Sequence, residues 1–144
     1  MKITQVSIFL ENRQGRLYEV CDLFGENDIN ILALTVAETE NFGIVRTVVN
    51  EPDQAMQLLK QEGFAAKFTD VVVVEIEDKP GGLASVLKVF NDNDLNVEYM
   101  HTFFSKAKQG DAYMVFRFEN PEEAINVLKE NNITPVQEKD LQEI

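Results

Sequence analysis

The chain has 144 residues, enough for one domain or two small ones, and a chain of this size buries about 70% of its unfolded surface. Its formal net charge of −12 repels nucleic-acid phosphates and anionic lipid, so neither is an expected partner. Cys21 and His101 are the only residues of their types, which excludes an intrachain disulfide and a thiolate metal cluster, and we expect no metal or cofactor. The first ten residues match neither a signal peptide nor a membrane span, so we expect a cytoplasmic protein.

Hydrophobic periodicity in residues 1–69 predicts the element order β-α-β-β-α-β. The first strand alternates apolar and polar residues, and the first helix repeats apolar residues at helical spacing as far as Gly25. A polar turn at 38–41 joins the second and third strands, and Pro52 suits the first turn of a helix. The predicted strands cover 5–10, 30–37, 44–49 and 64–68, and the helices cover 17–24 and 52–59.

The same order begins again in residues 70–144. The predicted strands cover 71–76, 97–104, 113–118 and 133–136, and the helices cover 83–90 and 121–128. Four consecutive valines in the first of these strands predict burial on both of its faces. The charged tail at 137–144 is expected to fray.

The two halves read as copies of one unit. An offset of 66 residues matches eight residues of the first half with identical ones in the second: Glu11, Gly15, Leu17, Val20, Phe24, Asn27, Asp28 and Asn30. An offset of 69 does the same for Pro52, Ala55, Leu59 and Lys60. The three-residue difference places an insertion near 105–111, at a loop tip. We therefore predict two domains, 1–69 and 70–144.

β-α-β-β-α-β is the order of the ferredoxin-like arrangement, in which right-handed crossovers place both helices on one face of a four-stranded antiparallel sheet. The sequence therefore predicts an α+β fold of two tandem ferredoxin-like units with antiparallel sheets. A unit of about 70 residues is marginal alone, so we expect the two to pair. Open sheet edges also favour a homodimer.

A glycine corner between a strand and a helix, present once in each copy, is the strongest functional signal. Glycine supplies the sharp turn, and the helix start supplies backbone N–H groups that can hold an anion. The carboxylate of an amino acid suits these N–H groups, while its ammonium group needs an acceptor such as the Asn12 amide or the Asp78 carboxylate. Alternatively, these two residues cap the helices. The predicted ligand-binding residues are Asn12, Arg13, Gln14, Gly15, Arg16, Leu17, Asn30 and Ile31 in the first copy, and Asp78, Lys79, Pro80, Gly81, Gly82, Leu83, Asn96 and Val97 in the second.

The tandem units with Glu-Asn-Arg-Gln-Gly and Glu-Asp-Lys-Pro-Gly-Gly corners resemble ACT domains, which are regulatory modules that bind amino acids and control metabolic enzymes. The resemblance extends to about Glu138. The corner Asn-Arg-x-Gly-x-Leu, followed by Asn30, is similar to the serine-binding module at the end of phosphoglycerate dehydrogenases. That resemblance implies that Asn12 and Asn30 hold the effector across a domain interface.

In the second copy, the resemblance assigns the same roles to Asp78 and Asn96. The serine-binding module has a histidine two residues before its loop asparagine, where this chain has Leu10 and Ile76. This departure predicts a less polar pocket, whose ligand need not be serine. Gln14 also replaces the usual loop proline of the family.

The resemblance implies a stand-alone regulatory protein, not an enzyme, that binds a free amino acid at the interface of its ACT domains. Such a chain acts in trans on a partner, an enzyme above all. The residues leave two alternatives open. Arg13, Arg16 and Asn30 could mimic the anion loop of a small ferredoxin-like hydrolase of the acyl phosphate class, and a protein-interaction module would need no ligand at all.

Overall fold

The computed structural model describes residues 1–38, 41–105, 107 and 110–142. Its elements are, in chain order, β1 (Ile3–Glu11), α1 (Arg16–Glu26), β2 (Ile31–Glu38), β3 (Phe42–Val49), α2 (Pro52–Gln61), β4 (Ala65–Ile76), α3 (Gly82–Asp92), β5 (Tyr99–Thr102), β6 (Ala112–Arg117), α4 (Pro121–Glu130) and α5 (Glu138–Leu141). The predicted α+β fold of ferredoxin-like antiparallel units is confirmed. The chain divides into a first unit, Thr4–Thr69, and a second unit, Met1–Ile3 with Asp70–Ile144.

In the first unit the strands lie in the order β2-β3-β1-β4. Both β1 and β2 pair with β3 in antiparallel fashion, and Ile8 and Val36 both lie opposite Val45. Alternate residues of β1 pack against the apolar faces of α1 and α2, as the sequence periodicity predicts. The main buried members of this core are Val6, Ile8, Leu10, Val20, Phe24, Val45, Ala55, Met56 and Leu59.

In the second unit the strands lie in the order β4-β6-β5, again antiparallel. All four valines at 71–74 are fully buried, as predicted. The core centres on Phe90 of α3, whose ring meets Phe116 at 5.2 Å and Phe118 at 4.9 Å in edge-to-face geometry. Such aromatic pairs contribute about 1 kcal/mol each beyond their burial.

The strand β4 corrects one prediction. The sequence predicts two strands, at 64–68 and 71–76, whereas a single strand runs from Ala65 to Ile76. Neither Thr69 nor Asp70 interrupts an extended backbone as glycine or proline does, so the strand continues through the boundary between the units.

Three predictions near the end of the second unit are also wrong. No strand forms at 133–136, because Pro135 cannot donate a hydrogen bond, although the Val136 N–H donates to the Val73 carbonyl at 2.9 Å. The predicted strand at 97–104 is shortened to Tyr99–Thr102. Residues 138–141 form the helix α5 and do not fray, because Leu141 is buried.

Parts of three predicted segments lie outside the described residues: 39–40 of the first hairpin turn, 106 and 108–109 of the insertion loop, and 143–144 of the tail. Within the described residues, no helix has the length and apolar character needed to cross a lipid bilayer.

Candidate functional site

The first glycine corner lies between the end of β1 at Glu11 and the start of α1 at Arg16. Gly15 is the N-cap of α1 and has a left-handed φ of 91°, which residues other than glycine rarely adopt. The Arg13 N–H donates to the Glu11 carbonyl at 2.8 Å, and the Arg16 N–H donates to the Arg13 carbonyl at 3.3 Å. These two bonds fold the corner into a tight turn.

The second corner repeats this backbone. Gly81 is the N-cap of α3 with a φ of 85°. The Lys79 N–H donates to the Glu77 carbonyl at 3.0 Å, and the Gly82 N–H donates to the Lys79 carbonyl at 3.0 Å. The sequence repeat is therefore also a repeat of hydrogen bonding at the corner.

Gly15 and Gly81 are the N-caps of the two corner helices and have no side chain that could cap them. The interpretation of Asn12 and Asp78 as helix caps stays a prediction, whereas the N-cap Asn120 accepts from the Glu123 N–H at the start of α4 at 3.2 Å. The first-turn N–H groups of α1 and α3 have no intrahelical acceptor. Among these groups, the Arg16 N–H of the first corner and the Gly82 N–H of the second already donate within the corner turn, to the Arg13 and Lys79 carbonyls.

The basic residue of each corner lies beside an acidic neighbour. The Arg13 Nε is 3.8 Å from a carboxylate oxygen of Glu11, and the Lys79 Nζ is 2.6 Å from that of Glu77. The hydrogen bond and charge of Glu77 raise the pKa of Lys79, so this lysine stays protonated. Both pairs are exposed and contribute little to stability.

The Arg16 side chain contacts Glu19 and Phe64. Its Nη1 donates to the Glu19 carboxylate at 2.7 Å, and its guanidinium carbon lies 4.5 Å from the centre of the Phe64 ring. This stacking is a cation–π contact of about 0.5–1 kcal/mol. Arg16 therefore packs α1 against the segment before β4.

The predicted site residues of the first unit lie at opposite ends of its sheet. The Asn12 N–H donates to the Asn41 carbonyl at 3.1 Å, just before β3 begins. Asn30 exchanges two hydrogen bonds, of 2.9 and 3.2 Å, with Asn50, just after β3 ends. The eight residues of β3 separate these ends by about 25 Å. The separation arises because α1 carries the chain back along the whole sheet.

The second unit shows the same separation. The Asp78 N–H donates to the Asp111 carboxylate at 3.3 Å, before β6 begins. Asn96 lies near the other end of β6, where the Glu98 N–H donates to the Arg117 carbonyl at 2.9 Å. Each unit thus holds the two predicted halves of its site apart. For the same reason Arg13, Arg16 and Asn30 do not form the constellation that a hydrolase would need.

Asn96 lines a cavity of about 670 Å³ that the sequence analysis did not predict. Lys2 lies in it, with its Nζ 3.0 Å from Glu122 and 3.9 Å from Asp70. These carboxylates raise the pKa of Lys2. The lining residues are Lys2, Asp70, Asp94, Leu95, Asn96, Glu98, Phe118, Glu119, Asn120, Pro121, Glu122 and Glu123. They come from distant parts of the chain, so no local motif indicates the cavity, and no metal-binding cluster was found among the described residues.

The rims of the two corners differ. Two aromatic side chains near the first corner are exposed, Tyr18 by 69% and Phe42 by 53%. The offsets of the repeat place Ala84 and Asp111 at these two positions in the second unit. Both compared positions are therefore aromatic in the first unit, whereas the second unit has alanine and aspartate there.

Comparisons with known proteins agree with this architecture. The family model for an ACT domain pair matches residues 1–144. The crystal structure of protein BT0572 from Bacteroides thetaiotaomicron is similar over 100% of this chain and 98% of that chain, at 40% identity and a TM-score of 0.91. No curated protein matches the sequence.

Two further structures are regulatory subunits of aspartate kinase. The subunit from Thermus thermophilus, in a ligand-free form, has 14% identity and a TM-score of 0.62, with 88% of this chain and 91% of that chain covered. The subunit from Thermus flavus has 16% identity and a TM-score of 0.59, with 88% and 90% covered. At these identities the likeness is one of fold.

Proposed function

The chain belongs to the family of ACT domain pairs, and from this premise we propose that it is a regulatory protein that binds a free amino acid at its glycine corners and acts on a partner enzyme in trans. The observation that carries the proposal is the repeated corner, in which a left-handed glycine is the N-cap and the first-turn N–H groups of the helix have no intrahelical acceptor. The shared fold with aspartate kinase regulatory subunits supports a regulatory role.

The ligand carboxylate binds at the start of α1 or α3. The helix dipole stabilises an anion there by about 0.3–1 kcal/mol, and first-turn N–H groups donate to it. Apart from the adjacent residues, nothing lies within 4 Å of the place where a Cβ would stand at Gly15 or Gly81, so neither position is crowded. The ligand ammonium group is accepted by the Asn12 amide oxygen or by the Asp78 carboxylate.

The first corner is the tighter amino-acid site in this proposal. Its Asn12 is uncharged, and its rim of Tyr18 and Phe42 offers apolar surface to a ligand side chain. In the second corner, the charges of Asp78 and Asp111 oppose a ligand carboxylate. The preferred ligands at the first corner are therefore amino acids with apolar side chains.

Asn30 completes the site only from another copy of the chain. The distance of about 25 Å along β3 is far longer than a free amino acid, so the Asn12 and Asn30 of one unit cannot touch the same molecule. A ligand that binds residues from two copies stabilises one relative placement of those copies. This differential contact is the physical route from binding to a regulatory signal.

A thermal-shift screen of the intact chain against the twenty amino acids tests the proposal. A ligand at 100 times its dissociation constant adds about 2.7 kcal/mol of stability, which is readily measured. We expect Asn12→Ala to abolish the shift, and the control Asn91→Ala, exposed near the end of α3, to retain it. The absence of a shift with any amino acid at millimolar concentration would contradict the proposal.

The role of Asn30 has its own test. Asn30→Ala should remove the shift as Asn12→Ala does, and a mixture of the two variants should recover part of it, because mixed assemblies contain sites with both asparagines intact. If Asn30→Ala binds as the wild type does, Asn30 is not the second contact. A parallel assay for acyl phosphate hydrolysis should find no turnover above the buffer rate.

A further inference from the structure

The Asp111 side chain reaches the second glycine corner. Its carboxylate accepts the Asp78 N–H at 3.3 Å, although the two residues are 33 positions apart in the chain. The hydrogen bond and the charge of Glu77 raise the pKa of Lys79, and the charge of Asp111 adds to them, so this carboxylate also lies near the Lys79 ammonium group. The second corner therefore already contacts a carboxylate that the chain itself supplies.

The strand register explains how Asp111 reaches this place. Ala112, the first residue of β6, lies opposite Ile76, the last residue of β4. Asp111 therefore precedes β6 at the same end of the sheet where Asp78 follows β4. The Asp111 carbonyl accepts the Ala107 N–H at 2.8 Å, and Ala107 is buried. Asp111 is thus held on one side by a strand and on the other by a buried residue.

The first unit has no carboxylate at the equivalent position. The offset of 69 residues aligns Asp111 with Phe42 and Gly110 with Asn41. In the first unit the Asn41 carbonyl accepts the Asn12 N–H, whereas in the second unit the chain turns at Gly110, which has a left-handed φ of 82°. The side chain of Asp111 thus has the role that a backbone carbonyl has at the first corner. This exchange brings a negative charge to the second corner.

We propose, on the basis of the proposed function, that Asp111 keeps amino acids out of the second corner, so that each chain binds one amino acid, at its first corner. Two like charges about 6 Å apart near a protein surface repel strongly enough to weaken binding about tenfold. Asp111 also competes with a ligand carboxylate for the Lys79 ammonium group. Because Asp111 belongs to the chain, it competes at an effective concentration of about millimolar or higher.

The charge of Asp111, and not its hydrogen bond, excludes the ligand in this proposal. Asp111→Asn removes the charge and keeps an oxygen that can accept from the Asp78 N–H, so the corner turn is retained. Asp111→Glu keeps the charge and is the matched control. Lys106 and Lys108 of the same loop lie outside the described residues and stay unchanged in every variant.

A thermal-shift screen against the twenty amino acids, in variants whose first corner is disabled, tests this inference. We expect no shift for Asn12→Ala, a shift with at least one amino acid when Asp111→Asn is added, and none when Asp111→Glu is added instead. Titration calorimetry should show binding about tenfold tighter with Asp111→Asn than in Asn12→Ala alone. A shift in Asn12→Ala alone, no shift with Asp111→Asn, or equal shifts with Asp111→Asn and Asp111→Glu would each overturn the proposal.

Amide chemical shifts locate the new site. In Asn12→Ala combined with Asp111→Asn, the ligand should move the signals of Gly81 and Leu83 and leave those of Gly15 and Leu17 in place. The opposite pattern would overturn the proposal. Hydrogen exchange at the Asp78 amide should match that of the wild type, because asparagine retains the acceptor.

The wild type decides the proposed function separately. If the wild type binds an amino acid and the combined variant does not, only the role of Asp111 is overturned. If the combined variant binds and the wild type does not, the second corner is a ligand site that Asp111 blocks, and the site at the first corner is overturned. If neither binds any amino acid, both proposals are overturned.

Discussion

The two glycine corners have the same backbone and different surroundings. At the first corner the Asn12 N–H donates to a backbone acceptor, the Asn41 carbonyl just before β3. At the second corner the Asp78 N–H donates to a side-chain acceptor, the Asp111 carboxylate just before β6. The first corner has Arg16 where the second has Gly82. A turn formed by backbone hydrogen bonds and one left-handed glycine thus tolerates different side chains around it. Those side chains determine the charge and polarity of the surrounding surface.

Gly82→Ala should show the largest difference in stability between the two corners. A Cβ built on Gly82 collides with the Glu77 carbonyl oxygen, a backbone atom that cannot rotate away. Overpacking against backbone should lower the free energy of unfolding by about 3 kcal/mol. Urea unfolding measures the loss. The matched change Arg16→Ala, which meets no such collision, should cost only about 1 kcal/mol from its lost ring contact and ion pair. Equal losses at the two positions would contradict this difference.

Gly15→Ala and Gly81→Ala should have similar effects, because both glycines have positive φ and open space where a Cβ would stand. An alanine in the left-handed region should cost about 1–2 kcal/mol. The control is Gly25→Ala, in the regular part of α1, where the same change should add about 0.5–1 kcal/mol. Differential scanning calorimetry compares the three variants. A neutral result at either corner would mean that its left-handed turn is not required.

Asp111→Ala should loosen the second corner, and Asn41→Ala should leave the first unchanged. The Asp111 carboxylate accepts from the Asp78 N–H, so its loss should cost about 0.5–1 kcal/mol. At Asn41 the acceptor is the backbone carbonyl, which alanine retains. Hydrogen exchange of the Asn12 and Asp78 amides measures this directly. Faster exchange at Asn12 in the Asn41→Ala variant would contradict the assignment.

The smallest expected difference between the two units is in how their stability depends on pH. Burial, and then the charges of Glu75 and Asp140, raise the pKa of Tyr113 above its ordinary value of 10.0, whereas the repeat places Ile44 at this position in the first unit. The contribution of Tyr113 to stability is complete below pH 10.0 and is lost as the pH rises through the raised pKa of the folded chain, because the unfolded chain releases its proton first. Urea unfolding between about pH 9 and about pH 11 should show a shallower decline for Tyr113→Phe than for the wild type. Identical slopes would mean that Tyr113 titrates alike in both states.

Much of the fold could be predicted from local pattern. Periodicity located α1 to α4, because each helix buries one stripe against its sheet, and glycine located both corners, because few other residues accept a left-handed φ. The errors lie where tertiary context overrides pattern. The strand β4 continues through Thr69 and Asp70, and the apolar run before Val136 does not form a strand.

The candidate site was predictable in its parts and not in its assembly. Local sequence was enough to predict the repeat, the ferredoxin-like element order and the turn at each corner, because these depend on residues within a few positions of one another. The folded chain was needed to show that Asn12 and Asn30 lie at opposite ends of a sheet, that Arg16 stacks on Phe64 and that Asp111 accepts from Asp78. These contacts join residues that are distant along the chain, and their geometry depends on how β1, α1 and β3 pack, which no local spacing encodes.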